Sequence, residues 1–140
     1  MSVINLRGGA SGPLTHAQVD ANFTNLNNDK AGYVTGEGGT VTQATSKATA
    51  VTLNKKCGTV TLNNAALAAD AIVSFTLTNS TIAATDVVVL NHASAGTAGK
   101  YALNAQAAAG SASINVTNIS AGSLSEAIVI RFAVVKAVTA

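Results

Sequence analysis

The chain has 140 residues, a formal net charge of +2 and only 10% charged side chains, although 48% of its residues are hydrophobic. This length suits one domain, and its longest basic run, Lys55-Lys56, is too short for the clustered cations that bind a nucleic-acid backbone, which excludes that class of partner. Because about a quarter of the residues in a typical soluble domain are charged, we predict that neighbouring subunits cover much of this surface. A neutral surface of threonine, asparagine and serine is the alternative.

The first predicted element is a short helix within an N-terminal arm, residues 1–39. Thr15 is typical of an N-cap, and Gln18, three residues later, can complete a capping box. The residues at i, i+4 and i+7 form one apolar stripe: Val19, Phe23 and Leu26. Asn27-Asn28-Asp29 then ends the helix. Since a narrow stripe on about three turns is not stable alone in water, we predict that these three apolar residues dock onto a partner.

Residues 40–140 are predicted to form an antiparallel β-sandwich or jelly roll. In Ile72–Thr78, for example, apolar residues alternate with serine and threonine, with the period of two of a half-buried strand. Turn residues such as asparagine and glycine separate about eight such segments, which is typical of a sandwich. No helix-length segment lies between them, which excludes a parallel βαβ fold. The predicted strands are 41–45, 49–53, 59–62, 72–78, 86–91, 101–106, 113–118 and 127–136.

Two of these strands carry further information. The run Val87-Val88-Val89-Leu90 is apolar on both faces, so it is predicted to be a central strand or one that a partner covers. The last strand alternates so that Arg131 faces outward. The residues predicted to face inward are Ile128, Ile130, Phe132 and Val134.

Few residues are suited to chemistry, and they are scattered. His16 and Asp20 are spaced i, i+4 on the predicted helix, but a metal site needs three or four ligands, so a solvated helix face is the preferred interpretation. His92 lies near Ser94, but no G-x-S-x-G motif is present and no third group is evident, so we expect a loop histidine. The sequence therefore predicts no catalytic residues, no metal and no cofactor.

Two smaller motifs also have structural interpretations. Residues 36–39 are glycine-rich but lack the G-K-[ST] ending of a phosphate loop, so a flexible hinge is predicted there. Cys57 follows two lysines that could lower its pKa, but a buried small residue at the start of a strand is the preferred interpretation. As the single cysteine, it excludes a disulfide within the chain.

The chain shows no targeting segment. The first eight residues have no apolar core of signal-peptide length, and the apolar stretch 127–138 is interrupted by Arg131 and Lys136 and is too short to span a bilayer as a helix. We therefore expect synthesis in the host cytoplasm and no membrane partner.

Segment 13–27, PLTHAQVDANFTNLN, resembles a motif of tailed-phage virion proteins that is often found at the head-proximal end of fibres, L-T-x-x-E-V-D-x-N-F-x-N-L-N. Gln18 stands where that motif often has glutamate. The β part, above all segment 75–89, FTLTNSTIAATDVVV, also resembles small phage and prophage virion proteins. This second pattern is less specific, because strands rich in threonine, alanine and valine are common. Together the two resemblances cover nearly the whole chain.

The resemblance implies a structural virion protein, similar to the small capsid-cementing protein of a Bordetella phage. It implies that the β domain sits on the capsid surface as a homodimer, or as a trimer, and that the arm contacts the major capsid protein. The absence of shaft repeats disfavours a long fibre. A tail adaptor or short tail fibre is the alternative, and a carbohydrate-binding module is a third hypothesis, for which Tyr33 and Tyr101 are among the few aromatic residues.

Overall fold

The computed structural model of the protein describes residues 14–28 and 36–137, with residues 25–28 described by their backbone alone. Within these ranges one helix and eight strands are formed. In chain order they are α1 (His16–Asn28), β1 (Thr40–Thr42), β2 (Val51–Thr52), β3 (Cys57–Thr61), β4 (Ile72–Thr78), β5 (Val87–Ser94), β6 (Tyr101–Ala108), β7 (Ser111–Asn118) and β8 (Val129–Val135).

The strands form two four-stranded sheets that pack as a sandwich. Sheet I has the order β1-β3-β8-β5, and sheet II has the order β2-β4-β7-β6. Both sheets turn one apolar face inward, where the core lies between them. This confirms the predicted mostly-β sandwich with a short helix near the N-terminus. Each predicted strand overlaps one observed strand, and β4 matches its prediction residue for residue.

The path of the chain explains the strand directions. From β1 to β6 the chain passes to the other sheet after every strand, and only the β6–β7 hairpin joins neighbours within one sheet. The chain reverses its direction at each crossing, so after two crossings it returns to the first sheet in its original direction. For this reason β1 pairs parallel with β3, and β2 pairs parallel with β4. All the longer pairings are antiparallel.

The core is built from the inward positions of both sheets. In β4 and β7 the alternation buries Phe75, Leu77 and Ile114, and these residues face Ile130 and Phe132 of β8. Burying one such side chain contributes roughly 1.5–3 kcal/mol. The prediction for the last strand is confirmed. The four residues expected to face inward are buried and Arg131 is exposed.

Buried polar side chains hold the loops onto this core. The amide of Asn118, which has no exposed surface, donates from Nδ2 to the carbonyl oxygens of Leu67, Ala68 and Gly122 over 2.8–3.0 Å. Its Oδ1 accepts from the backbone N–H and the hydroxyl of Ser120. In the described part of the chain no buried side-chain nitrogen or oxygen is left without a partner.

One strand lies elsewhere than its sequence suggested. The run Val87-Val88-Val89-Leu90 forms the first half of β5, and β5 is the edge strand of sheet I, so the central position was wrong. Val88 and Leu90 pack against the core, whereas Val87 and Val89 face outward. Strand order depends on pairing between distant segments, and a local apolar pattern does not contain that information. The other prediction for this run, cover by a partner, stays a prediction.

Candidate interaction surfaces

Helix α1 begins at the predicted capping box. The backbone N–H of Thr15 donates to Oε1 of Gln18 over 2.9 Å, and the N–H of Gln18 donates to Oγ1 of Thr15 over 3.2 Å. These reciprocal bonds satisfy backbone donors that have no partner inside the helix. The helix ends at Asn28, and Asp29 lies outside the described residues. The sequence therefore predicted the start of α1, and the predicted end stays a prediction because Asp29 is not described.

The described part of the apolar stripe of α1, Val19 and Phe23, lies on a helix that is not packed on any described strand. Phe23 is 68% exposed, Val19 is half-buried, and no strand makes more than a marginal contact with the helix among the described residues. Leu26 lies within α1, but its side chain is outside the description. His16 and Asp20 are both exposed. An isolated helix of this length is marginal in water, so the stripe is available for docking.

The outer face of sheet I carries a second apolar surface. Val87, Val89 and Val135, here called the valine face, are 53%, 51% and 50% exposed. Their proximity follows from the register, because Val87 lies opposite Val135 and Val89 lies opposite Ala133. The odd-numbered valines of the run 87–90 gave a signal for this surface in the sequence. The alternation predicted for the last strand also places Val135 outward, but its position beside Val87 depends on the pairing of β8 with β5, which the sequence does not show.

A shallow groove of about 480 Å³ adjoins the valine face. The residues that line it include Gly39, Cys57, Thr59, Val89, Arg131 and Ala133. Cys57 begins β3 as predicted, but it is only partly buried, because the first residue of β3 points to the outer side of the sheet. No carboxylate of the described residues pairs with Arg131. The groove is therefore apolar along its floor and bordered by one cation.

Gly39, part of the predicted hinge, has a packing role at this groove. A Cβ at this position would lie 2.7 Å from Cδ1 of Leu53, so no larger residue fits without a shift. The first glycine of the motif, Gly36, has a positive φ of 90° and its carbonyl accepts a hydrogen bond from Lys55 Nζ over 2.7 Å. These contacts fix the path by which the chain enters sheet I.

The outer face of sheet II is mostly polar, with the exposed Ile72 at one end of β4, and its strands carry no charged side chain. Ser74, Asn115 and Asn104 lie in one row across β4, β7 and β6. The Ser74 hydroxyl donates to Oδ1 of Asn115 over 2.6 Å, and Nδ2 of Asn115 donates to Oδ1 of Asn104 over 3.2 Å. Thr76, Ser113 and Gln106 form the next row. The two outer faces thus differ in chemistry, one apolar and one neutral and polar.

The two ends of each sheet also differ. One side of the sandwich ends in β1, with three residues, and β2, with two. The other side ends in β5 and β6, with eight residues each. An edge strand presents a row of unpaired backbone N–H and C=O groups, so the second side offers far more hydrogen-bonding capacity than the first.

The densest cluster of reactive side chains surrounds Glu126. Its carboxylate accepts from the Thr97 hydroxyl over 2.7 Å, from the Thr97 N–H over 3.0 Å and from the Tyr101 hydroxyl over 2.9 Å. The bonds from Thr97 lower the pKa of Glu126, and burial together with the bond to Glu126 raises the pKa of Tyr101. A carboxylate stabilised in its ionised form is a poor proton donor. The hydrogen bonds of this cluster have a structural role, because they join the loop at Thr97 to the core.

His92, predicted to lie in a loop, is instead part of β5. Its Nε2 donates to the carbonyl oxygen of Ala95 over 2.6 Å, and its ring packs edge-on against Tyr101 with centroids 5.7 Å apart. This nitrogen is therefore not free to act as a base for Ser94. Tyr101 is buried, and Tyr33 lies outside the described residues. No aromatic platform for a sugar is formed by Tyr101.

Residues 14–28 and 36–137 contain no group of three or more histidine, cysteine, aspartate or glutamate side chains that could hold a metal ion. In the same ranges no helix has the length and apolar character needed to cross a membrane. The surfaces that remain for function are the α1 stripe, the valine face with its groove, and the two long edge strands.

Comparison with known proteins gave no relative. No protein-family model, no curated protein and no solved structure matches the chain.

Proposed function

We propose that the protein is a structural virion component that binds the outer surface of a phage capsid and cements adjacent major-capsid subunits. The observation that carries this proposal is the capped helix α1, on which Phe23 is exposed and against which none of the described strands packs. The resemblance of segment 13–27 to phage virion proteins supports the same conclusion. In this proposal Val19, Phe23 and Leu26 dock on the major capsid protein, and the β-sandwich lies on the capsid surface.

The chemistry of the sandwich supports a non-catalytic role. Glu126 and His92 are occupied by hydrogen bonds within the fold, and Asp86 is bound to Lys136. Exposed apolar groups are present on α1 and on the valine face. A protein of this kind acts by adhesion, and it needs no cofactor.

The mechanism of cementing is mass action. A protein that binds only the assembled shell stabilises it by RT ln(1 + [L]/Kd) at each site. Because many copies bind one shell, and because each copy has an arm and a sandwich that can contact different subunits, the contributions add up around the lattice. Buried apolar area at Phe23 supplies part of the affinity of each contact.

The test is binding to particles. Virions are purified from the strain that encodes the chain, the protein is removed, and wild type is compared with Phe23→Asp by co-sedimentation. We expect Phe23→Asp to weaken binding at least about tenfold, because burying a charge in an apolar contact is unfavourable. Thr24→Asp, which adds the same charge at the neighbouring exposed position, should bind as wild type does. Circular dichroism checks that both variants keep their strands.

Each outcome of this experiment is decisive. Equal binding of wild type and Phe23→Asp would refute the docking role of the α1 stripe. Failure of wild type to bind any capsid surface would refute the cementing function. Copy number per virion, measured by mass spectrometry, separates hundreds of copies on a capsid from the few expected of a tail adaptor or short fibre.

A further inference from the structure

The long edge strands β5 and β6 lack most of the features that normally protect such edges. Natural sheets avoid edge-to-edge association by short edge strands, charged side chains, prolines or bulges. β1 and β2 follow that rule by being short, but β5 reads VVVLNHAS and β6 reads YALNAQAA, without a charge or a proline in either. The register of β5 shifts only near its end, between His92 and Ser94.

Within residues 14–28 and 36–137, no segment pairs with the free side of either strand. The backbone of β5 bonds to β8 and the backbone of β6 bonds to β7. No other described segment donates a backbone hydrogen bond to either strand or accepts one from it. Both strands therefore keep a row of donors and acceptors directed away from their own sheets.

The position of β5 and β6 determines which kind of partner can pair with both edges. β5 and β6 end their respective sheets on the same side of the sandwich and contact each other across it. A single foreign strand can pair with only one of them. A second copy of this chain, turned by a two-fold axis perpendicular to the sheets, presents both edges at the same spacing and in antiparallel direction. An interface of this kind is self-complementary.

We propose that the protein forms a two-fold dimer in which β5 pairs with β5 of a second copy and β6 pairs with its β6. Each four-stranded sheet then continues across the interface into that of the second copy. The dimer concerns the isolated chain and does not depend on the capsid role. If that role also holds, each dimer carries two α1 arms.

This dimer accounts for the sequence of β5. A strand that is apolar on both faces is typical of the interior of a sheet, and Val87-Val88-Val89-Leu90 is such a strand although it lies at the edge of the monomer. In the dimer β5 becomes an interior strand. Val87 and Val89 of both copies then lie on the same outer face of the continuous sheet, on opposite sides of the two-fold axis.

The first test compares two matched substitutions by analytical ultracentrifugation of the full chain. Val89→Lys places a cation on the edge strand β5, and a lysine on an edge strand opposes edge-to-edge pairing. Val135→Lys places the same cation on the same face and at nearly the same exposure, but on β8, inside the sheet. We expect wild type and Val135→Lys to sediment at twice the 13.8 kDa chain mass and Val89→Lys to shift to the monomer.

Other results of this comparison overturn the proposal. A monomeric wild type shows that the edges do not pair. A dimeric Val89→Lys shows that β5 is not at the interface. If both variants are monomeric, the valine faces pack on each other and the edges do not carry the dimer.

The second test needs no substitution and remains decisive if Val89→Lys does not fold. Hydrogen–deuterium exchange of wild type is compared at high and low protein concentration. We expect the amides of β5 and β6 to exchange more slowly at high concentration, and those of β1 and β2, the edges on the opposite side, to be unchanged. Equal exchange of β5 and β6 at both concentrations would refute the pairing even if the protein is dimeric.

Discussion

Gly58 of β3 lies directly opposite Phe132 of β8, and the Phe132 ring occupies space that a side chain at position 58 would need. A Cβ built on Gly58 would lie 3.1 Å from Phe132 Cε1, 2.8 Å from the carbonyl oxygen of Gly39 and 2.7 Å from Cδ2 of Leu53. One of these neighbours is backbone and cannot rotate away. The absence of a side chain at position 58 is therefore what allows β1, β3 and the Phe132 ring to pack together.

The first prediction follows from this contact. Gly58→Ala should lower the free energy of unfolding by about 1–3 kcal/mol, the usual cost of overpacking. The matched control is Gly122→Ala, because a Cβ at Gly122 would meet open space. Urea denaturation of both variants measures the difference. Equal midpoints for Gly58→Ala and wild type would show that β1 can move away from β3 without cost.

The second prediction separates the two roles of phenylalanine in this chain. Phe132→Ala removes a buried ring from the centre of the core and should cost about 4 kcal/mol. Phe23→Ala removes an exposed ring from α1 and should leave the unfolding free energy of the sandwich within about 0.5 kcal/mol of wild type. A large loss of stability in Phe23→Ala, measured by thermal and urea unfolding, would show that α1 packs on the sandwich.

The third prediction concerns Asn118. Asn118→Ala leaves the carbonyl oxygens of Leu67, Ala68 and Gly122 without the donor that they share, and should destabilise the protein by about 3 kcal/mol. Asn104→Ala, at an exposed position of β6, should change the unfolding free energy by less than about 0.5 kcal/mol. If the two substitutions cost the same, ordered water replaces the Asn118 amide.

The fourth prediction is a dependence of stability on pH. Burial opposes ionisation of Asp86, but the hydrogen bond from the Ala83 N–H and the ion pair with Lys136, at 2.6 Å, outweigh burial and lower its pKa. Because the pKa is lower in the folded state, this carboxylate stabilises the fold above its unfolded value of about 3.9. That stability is lost as the pH falls through the folded pKa.

The measurement is urea unfolding between about pH 5 and pH 2, a window set by the unfolded value. Asp86→Asn should be less stable than wild type near neutral pH and should lose less stability on acidification. Asp70→Asn makes the same change at an exposed carboxylate and should follow the wild-type profile. Parallel profiles for wild type and Asp86→Asn would mean that another carboxylate, such as Glu126, governs acid sensitivity.

The sequence predicted what depends on near neighbours. The alternation in Ile72–Thr78 set the buried face of β4, and Thr15 with Gln18 set the start of α1, because both patterns arise from contacts a few residues apart. For the same reason the inward face of β8 was predicted correctly. The apolar stripe of α1 was visible in the sequence, although what it binds stays a prediction.

The remaining features depend on pairing between distant parts of the chain. That β5 is an edge strand follows from its pairing with β8 alone, and no local pattern in the Val87–Leu90 run encodes this. The groove beside Cys57 forms because β3 and β5 flank β8 and residues 38–39 lie beside β3, so its lining comes from four separate segments. His92 extends β5 because the pairing with β8 continues beyond the apolar run.

The position of β8 in sheet I constrains the order in which this protein can fold during translation. β8 holds β3 and β5 together, yet the ribosome makes it after both. Until β8 emerges, the nascent chain exposes apolar strands that have nothing to cover them, a condition that favours misfolding. The β6–β7 hairpin, joined by a short turn at Gly110, is available earlier and can nucleate sheet II. Slowing synthesis just before β8 would therefore prolong the period during which the nascent chain exposes uncovered strands and is most prone to aggregate.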